Sequence, residues 1–340
     1  MNHLKKSADT PLYLQLAQLL RQEMLGGRIR PGDKLASEHQ LMQQYGVSRL
    51  TVRNAIQQLI SEGLIETHHG KGSFCKHTAV EKNIHVLLNM SDHYFVSYYL
   101  QSISAVLETC NARLIAGDTR DSNEEIIRQL QEIANKGSDG IIFQGCPKTN
   151  PDEAAFSDVL QRLQQKKIPV IAIDYTYPLP QLSCAAMDEV QIGVMAADTL
   201  YEKGHRTVAA ICVPEDGLSQ MRLQGFLRRF PQCTAIHHGE SMFRQLRAAM
   251  NHGCTALFCY NDLIAQACME FLKEARISVP DNLSVISVDD TILAYAYGIT
   301  SVAHAKTKIG TYAAEQILSG EPHHRIFSPT LVERRSVRAL

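Results

Sequence analysis

The sequence predicts an α/β protein in two parts, a small N-terminal α+β head and a larger two-lobed body with parallel sheets. In the first 75 residues, amphipathic helical patterns precede two short strand patterns. From about residue 83 onward, short apolar runs alternate with helical stretches, which is typical of parallel sheets with helices on both faces. This alternating part has roughly 255 residues, more than one sheet comfortably uses, so two lobes are expected.

The head is predicted to contain three helices and a two-stranded wing. Leucines and Met24, repeating every four positions, predict a first helix from about Leu12 to Met24. A second helix starts at Ser37, where Gln40 completes a capping-box pattern three residues later. A third helix starts at Ser48 and ends at Gly63. The wing strands are predicted at residues 64–67 and 73–76, with a turn at 69–72, and the whole order is that of a winged helix-turn-helix.

The head also carries a series of short motifs in a specific order. They are Pro11-Leu12-Tyr13, Pro31-Gly32-Asp33, Leu35, Ser37-Glu38, Tyr45-Gly46-Val47-Ser48-Arg49, Thr51-Val52-Arg53, Glu62-Gly63-Leu64-Ile65 and Gly70-Lys71-Gly72-Ser73-Phe74. With this spacing, about the first 75 residues closely resemble the DNA-binding head of GntR-type transcriptional regulators. One departure is Ala36, where the family usually has proline. The resemblance implies that double-stranded operator DNA is the partner of the head.

Candidate DNA-binding residues lie at the start of the third helix. Arg49 and Arg53 are four residues apart and so share one helix face. The fork of an arginine can bond guanine O6 and N7 together, or it can hold a phosphate. The resemblance implies that Arg49, Thr51 and Arg53 contact DNA while Ser48 and Glu38 help to orient the site. Ser48 could instead serve only as a helix cap, and Glu38 could accept from cytosine N4 or orient an arginine.

The wing turn supplies the other candidate DNA contacts, His69, Gly70 and Lys71. Glycines there would permit close approach of the backbone to a phosphate or a minor groove, and Lys71 adds positive charge. The alternative is an ordinary hairpin turn. A nucleotide phosphate loop is not supported, because neither G-x-x-x-x-G-K-[ST] nor G-x-G-x-x-G occurs at this turn.

Composition limits the class of protein. The 340 residues hold no apolar run of about 18 residues, so no membrane span is expected. The N-terminus has no hydrophobic core typical of a secretion signal, and the nine cysteines include no CxxC pair, which favours the cytoplasm. Cys254 and Cys259 are interpreted as small core residues, with a metal or redox role as the alternative. We predict no cofactor and no metal.

Charge is distributed unevenly along the chain, whose net charge is −1. Residues 1–78 contain ten Lys or Arg and six Asp or Glu, a net charge of +4, whereas the remainder contains 24 and 29, a net charge of −5. A basic head on an acidic body fits DNA binding by the head alone.

The domain boundaries follow from a polar stretch without periodicity. We predict a DNA-binding domain at residues 1–75, a linker at 76–82, and an effector-binding and dimerisation domain at 83–340. Within the body, strands are predicted at residues 84–88, 113–116, 140–143, 170–173, 208–213, 256–259 and 283–288. Helices are predicted near residues 97–110, 122–136, 153–166, 190–203, 219–230, 241–251, 262–275 and 306–319.

The body carries a second ordered set of motifs. They are Asp139-Gly140-Ile141-Ile142, Pro169-Val170 with Asp174, Gly204-His205-Arg206, Arg222-Leu223-Gln224-Gly225-Phe226, Asn261-Asp262 with Ala265, Val279-Pro280-Asp281 and Ser284 to Asp290. Residues 83–338 thereby resemble the effector domain of LacI-type regulators, which shares its fold with periplasmic sugar-binding proteins. A GntR-type head on such a body resembles the arabinose-repressor group. The body departs from the family at Asp188-Glu189, where Asp-Asn is usual, and in a shorter stretch between Phe226 and Leu257.

Candidate effector-binding residues lie where strands end. In parallel α/β folds, ligands bind at the carboxyl ends of strands, and here Asp174, Asn261 and Asp289 follow apolar runs. Carboxylates and amides suit a polyhydroxylated ligand, and Arg222, near the start of a helix, adds a forked donor. The resemblance implies effector contact by these four residues and by Tyr94 and Phe95. The alternatives are helix capping by Asp262, a strand-end turn at Asp290 and core packing by Phe95.

The leading functional interpretation is a cytoplasmic, homodimeric repressor of carbohydrate-utilisation genes, controlled by a small sugar-like effector bound between the lobes. Pentose, hexose, glycoside and sugar phosphate all remain open, with arabinose first by resemblance. The main alternative is a carbohydrate-binding or transport protein without a regulatory role. An enzyme is not expected, because adjacent Asp289 and Asp290 on one strand would point to opposite faces and no nucleophile elbow or metal cluster occurs.

Overall fold

A computed structural model describes residues 11–25, 28–29, 32–68, 71–76, 82–91, 95–148 and 152–340. The chain divides into two compact units. One comprises Met1–Ile84 with Ile103–Ile115, and the other comprises His85–Ser102 with Ala116–Leu340. The boundaries at residues 75 and 82 remain a prediction.

The head has the predicted order of elements. Its helices and strands are α1 (Leu12–Leu25), α2 (Glu38–Tyr45), α3 (Arg49–Ser61), β1 (Ile65–His68) and β2 (Gly72–Cys75). The predicted capping box is present, because the Ser37 side chain accepts from the backbone N–H of Gln40 while the Gln40 side chain accepts from that of Ser37. Gly46, with φ of 65°, ends α2 in the left-handed conformation that glycine adopts without strain.

The core of the head is formed by the apolar faces of its helices and by the wing. Leu16 and Leu20 of α1 pack with Val52 and Leu59 of α3, and all four are almost fully buried. The wing strands are antiparallel, with Ile65 opposite Cys75 and His68 opposite Gly72. Burial of these residues fixes which face of α3 remains exposed.

The body alternates strands and helices. Its strands are β3 (Lys82–Leu88), β4 (Ala112–Asp118), β5 (Gly140–Gln144), β6 (Val170–Ile173), β7 (Ser183–Met187), β8 (Val208–Cys212), β9 (Thr234–His237), β10 (Ala256–Cys259), β11 (Ser284–Asp289), β12 (Thr300–Ala303), β13 (Arg325–Phe327) and β14 (Thr330–Val332). Its helices are α4 (Val96–Thr109), α5 (Asn123–Lys136), α6 (Glu153–Gln165), α7 (Glu189–Glu202), α8 (Gly217–Leu227), α9 (Met242–Asn251), α10 (Asp262–Glu274), α11 (Ile292–Tyr297) and α12 (Lys306–Ser319).

These strands form two six-stranded sheets, as two lobes require. The first has the order β13-β7-β6-β5-β3-β4 and the second β14-β12-β11-β10-β8-β9. The prediction of parallel sheets is confirmed, and among the strand pairs whose register is described, β12 with β14 at an edge is antiparallel. Strands β7, β9, β12, β13 and β14 and helix α11 were not predicted. Most are short, and β7 reads Ser-Cys-Ala-Ala-Met, without the β-branched residues typical of strands.

The chain crosses between the two sheets at three places, after β7, after β12 and between β13 and β14. Helix α7, which follows β7 of the first sheet, packs against β10, β11 and β12 of the second. Helix α12, which follows β12 of the second sheet, packs against β5, β6 and β7 of the first. Residues at these crossings, such as Asp188 and His304, are therefore held close to both lobes. No helix within the described ranges is long and apolar enough to cross a membrane.

Candidate functional sites

The first candidate site is the start of α3 in the head. Ser48 caps this helix, because its Oγ accepts from the backbone N–H of Thr51 at 3.2 Å and lies 2.8 Å from the Thr51 hydroxyl. The side chains of Arg49 and Arg53 are 72% and 67% exposed. Both arginine side chains are therefore accessible from solvent and lie on one face of the helix.

Glu38 of α2 lies beside both arginines. Its carboxylate accepts from Arg49 Nε at 2.8 Å and lies 3.8 Å from Arg53 Nε. This geometry favours the predicted orienting role of Glu38 over a contact with cytosine, because its oxygens already face the guanidinium groups. Lys71 is exposed at the wing, whereas His69 and Gly70 lie outside the described residues. The assignment of DNA contacts in the head remains a prediction.

The second candidate site is a cleft of about 660 Å³ between the lobes of the body. This volume falls in the usual range for small-molecule sites. Four predicted residues, Asp174, Arg222, Asn261 and Asp289, line the cleft together with Phe95. Tyr94 lies outside the described residues. Other polar residues lining the cleft are Asn89, Ser91, Asp121, Gln144, Lys148, Asp216, His238, Gln266, Glu270 and His304.

Arg222 is the central cation of the second lobe, and it lies in the second turn of α8, which starts two residues earlier than predicted. Its Nε donates to Glu189 Oε2 at 2.5 Å and its Nη1 to the Tyr260 carbonyl at 2.8 Å. The guanidinium also lies over the Tyr260 ring, 4.8 Å from its centroid. Burial opposes the charge on Arg222, but Glu189, Tyr260 and Asp289 together outweigh it and hold the pKa of Arg222 above its usual value.

Glu189 was not among the predicted site residues. Its side chain is only 3% exposed, and it lies at the position where the sequence departs from the Asp-Asn pair usual in the resembling family. Asp188 caps α7 by accepting from the backbone N–H of Gln191. That departure was the available sequence signal, but nothing in the sequence indicated that Glu189 would meet Arg222.

A close crossing of α7 and α8 brings Glu189 to Arg222. A Cβ atom added at Gly193 of α7 would lie 1.9 Å from the Arg222 carbonyl oxygen. One added at Gly225 of α8 would lie 1.9 Å from the Val190 carbonyl oxygen. Only glycine therefore permits this backbone contact, and the contact fixes the position from which the Arg222 side chain extends.

Asp174 is the central carboxylate of the first lobe. It accepts from Gln144 Nε2 at 3.0 Å and lies 3.0 Å from His304 Nε2. Burial raises the pKa of Asp174, but the hydrogen bond and charge of His304, with the Gln144 bond, outweigh it and leave that pKa below its ordinary value. His304, 5.1 Å from the Phe95 ring, was not predicted as a site residue. Its position follows from the crossing after β12, which sequence patterns do not reveal.

Among the predicted residues, Asp289 has the most strained backbone and the least complete side-chain hydrogen bonding. Its φ is 108°, while that of Asp174 is 72°, and such backbone strain in non-glycine residues is concentrated at functional sites. Asp289 Oδ1 is buried with no hydrogen-bond partner among the described residues, and lies 3.9 Å from Arg222 Nη1. Burial raises the pKa of Asp289 to about 7. The Lys306 ammonium donates to the Asp289 backbone carbonyl at 2.6 Å.

Helix capping by Asp262, one of the alternatives, does not occur in the structure. Asn261, not Asp262, caps α10, because its Oδ1 accepts from the backbone N–H of Ile264 at 2.9 Å. The fully buried Asp262 carboxylate instead accepts from the hydroxyls of Ser287, Thr291 and Ser301. Phe95 lies at the cleft, so core packing alone does not describe it. No group of three or more metal-ligating side chains occurs in the described part of the chain.

Comparison with protein families agrees with this two-part architecture. Residues 12–75 match the gntR family of bacterial regulatory proteins. Residues 197–337 match the periplasmic binding protein-like domain. The chain therefore joins a head that matches the gntR family to a body that matches the periplasmic binding protein-like domain, as the resemblance implied.

The chain is similar along its whole length to known repressors. It is 26% identical over 367 aligned residues to an arabinose metabolism transcriptional repressor of Geobacillus stearothermophilus, covering 98% of the chain and 100% of that protein. It is also 26% identical to the protein of the same name from Halalkalibacterium halodurans, covering 95% and 96%. A ribose-bound LacI family transcriptional regulator from Enterococcus faecalis V583 shares the fold of the body, with a TM-score of 0.65, 22% identity and coverage of 76% and 100%.

Proposed function

We propose that the protein is a cytoplasmic, dimeric repressor of carbohydrate-utilisation genes, whose operator binding is controlled by a sugar-like effector held in the cleft. The observation that carries this proposal is the cleft itself. It combines a buried forked donor, Arg222, with carboxylates from both lobes, Asp174 and Asp289. Such a set can bond several hydroxyl groups of one small molecule. The two full-length relatives named for arabinose metabolism support the same class of effector.

DNA binding is assigned to the exposed face of α3 with the wing. Arg49 and Arg53 would donate to guanine edges or phosphates, and Lys71 would supply charge at the backbone of the duplex. Thr51 and Ser48 lie at the first turn of the same helix, while Glu38 would hold the arginines in a fixed orientation. With His69 and Gly70 at the wing, these residues form the proposed DNA contact of each head.

The charge of the cleft favours an uncharged sugar over a sugar phosphate. Apart from Asp289, whose pKa burial raises to about 7, the described cleft is lined by four carboxylates against one lysine and one arginine: Asp121, Asp174, Asp216 and Glu270 against Lys148 and Arg222. Both cations are already paired, Lys148 with Asp121 and Arg222 with Glu189. A phosphate would meet surplus negative charge, whereas neutral hydroxyl groups could donate to the carboxylates.

The homodimer is proposed because a two-fold pair of heads would read a symmetric operator. Helix α11 exposes Ile292 and Tyr295, three residues apart, at 67% and 73%. Large apolar side chains exposed together on one helix are suited to contact with another protein surface. Closure of the lobes around effector would then change how a dimer presents its heads, which requires effector to favour one conformation over the other.

The alternative function is a carbohydrate-binding or transport protein without a regulatory role. The body alone would permit it, but the gntR-family head argues against it, and fractionation of cells would test it by showing where the protein resides. The proposal assigns no catalytic role to the cleft. Turnover of a bound sugar would contradict that part of it.

The DNA-binding half is tested with Arg53→Ala. We expect specific operator affinity to be lost while effector affinity remains near that of the unsubstituted protein, because Arg53 lies in the head. Arg244→Ala, which removes the same charge from an exposed position on α9 of the body, is the control and should keep operator affinity. Operator binding by Arg53→Ala at wild-type strength would contradict the assignment.

The effector-binding half is tested by a thermal-shift panel of neutral sugars, sugar phosphates and nucleosides. A ligand at about 100 times its dissociation constant stabilises the folded state by roughly 2.7 kcal/mol. We expect a neutral sugar to raise the melting temperature, and Arg222→Ala to abolish this rise. A shift by a sugar phosphate instead would contradict the charge argument, and no shift across the panel would contradict the carbohydrate class.

A further inference from the structure

The exposed face of α3 has an apolar residue near its centre. The helix buries Val52, Ala55 and Leu59. At about 100° per residue, the midpoint of the opposite face falls close to Leu50. Leu50 is 68% exposed and does not belong to the core of the head. It is the second residue of the helix, at the end that winged helix-turn-helix proteins direct at base edges.

Polar residues of two kinds flank Leu50 on the same face. Arg49 and Arg53 lie on one side, and both face the Glu38 carboxylate on α2. Asn54, also exposed, lies on the other side, one turn after Leu50. A single exposed leucine is ordinary on a protein surface. Here, however, the leucine separates two exposed arginines from an exposed amide within one short stretch of helix.

The major groove offers a specific partner for each of these side chains. Thymine presents a C5-methyl group, which apolar side chains contact, and its paired adenine presents N7 and N6, which asparagine bonds in a bidentate manner. Leu50 and Asn54 are four residues apart, with Cβ atoms about 6 Å from each other, so they can reach the same or neighbouring base pairs. Arginines beside them would read guanine.

We propose that Leu50 reads the methyl group of a thymine in each operator half-site, with Asn54 bonding an adenine of the same or the next base pair. This inference rests on the proposed DNA-binding function and adds to it a residue that specifies sequence through shape and apolar contact. Leu50 excludes water from the thymine methyl, whereas Arg49 and Arg53 supply the charged bonds. The half-site therefore contains a T·A pair next to a guanine.

The test uses the full-length protein and duplexes selected from random sequence by wild-type protein. Each thymine of the selected duplex is replaced in turn by deoxyuridine, which removes only the methyl group. We expect wild-type affinity to fall three- to fivefold at one thymine of each half-site, the fold-change for burying one methyl group, about 0.8 kcal/mol. Leu50→Ala should bind the selected duplex more weakly than wild type, and deoxyuridine at that thymine should not lower its affinity further. Leu50→Met should still lose affinity when that thymine is replaced by deoxyuridine.

Gln57→Ala is the matched control, because Gln57 is exposed on the same face almost two turns further along the helix. This variant should keep the wild-type difference in affinity between the thymine and deoxyuridine duplexes.

The proposal is overturned if no thymine replacement weakens wild-type binding. It is also overturned if Leu50→Ala loses as much affinity as wild type on thymine replacement, because the methyl group would then act through DNA shape. Selection of a duplex without thymine would also overturn it. If wild-type protein enriches no duplex, the DNA-binding function itself fails.

Discussion

Asp289→Asn is expected to change how the stability of the body depends on pH. The Asp289 side chain is almost completely buried, and burial raises its pKa from 3.8 to about 7 despite the nearby Arg222. The folded protein therefore holds a proton on Asp289 at pH values where the unfolded chain has released it. Stability contributed by this group is present at low pH and is lost as pH rises from about 4 through about 7.

The size of the effect follows from the difference between the two pKa values. Each unit corresponds to 1.36 kcal/mol, so the full cost of ionising Asp289 is on the order of 4 kcal/mol, and about 2.5 kcal/mol of it accrues between roughly pH 5 and pH 8. Asparagine does not titrate. We therefore expect Asp289→Asn to gain stability relative to wild type across this interval, by roughly 5–10 °C in melting temperature for a domain of this size.

Scanning calorimetry of wild type, Asp289→Asn and Asp290→Asn across that pH interval measures this effect. Asp290 is the matched control, because its carboxylate is more exposed and accepts from Arg334 at 2.6 Å. Loss of a carboxylate stabilised by an arginine should not raise stability at high pH. Parallel stability curves for wild type and Asp289→Asn would refute the reasoning, because they would mean that Asp289 is ionised in the folded protein throughout.

Two further substitutions test the geometry that positions Arg222. Gly193→Ala places a Cβ 1.9 Å from the Arg222 carbonyl oxygen, so α7 and α8 must separate. We expect the free energy of unfolding, measured by urea denaturation, to fall by about 1–3 kcal/mol. The effector-induced thermal shift should also become smaller. Glu189→Ala leaves Arg222 buried without its hydrogen-bonded counter-ion and should cost about 3–5 kcal/mol. In a double-mutant cycle, adding Arg222→Ala to Glu189→Ala should restore part of that loss, and strict additivity of the two losses would show that the pair does not interact.

The elements of the head could be predicted because their determinants are local in sequence. The capping box at Ser37 and Gln40, the left-handed Gly46 and the repeated leucines of α1 each act within a few residues. The strands β7, β9 and β12 were missed because pairing with other strands, rather than their own composition, makes them strands. Long-range hydrogen bonding of this kind leaves little trace in the sequence.

In the candidate cleft, too, the residue types could be predicted from the sequence, whereas their surroundings depend on long-range contacts. Asp174, Asn261 and Asp289 were predicted because each follows an apolar strand, and the carboxyl ends of parallel strands meet at one edge of a sheet. Their environments were not predictable. The hydrogen bonds from Gln144 and His304 that occupy Asp174 come from β5 and from the crossing after β12.

By itself, the sequence determined the order of domains, the helical head and the residue types at the ends of the strands. Only the tertiary structure decided that Glu189 pairs with Arg222, because two glycines allow α7 and α8 to touch backbone to backbone. It also decided that Asp289 is buried beside that pair, with one carboxyl oxygen that no described residue hydrogen-bonds. Local propensities act over a few residues, whereas burial and charge pairing depend on chain segments that meet only after the lobes have folded.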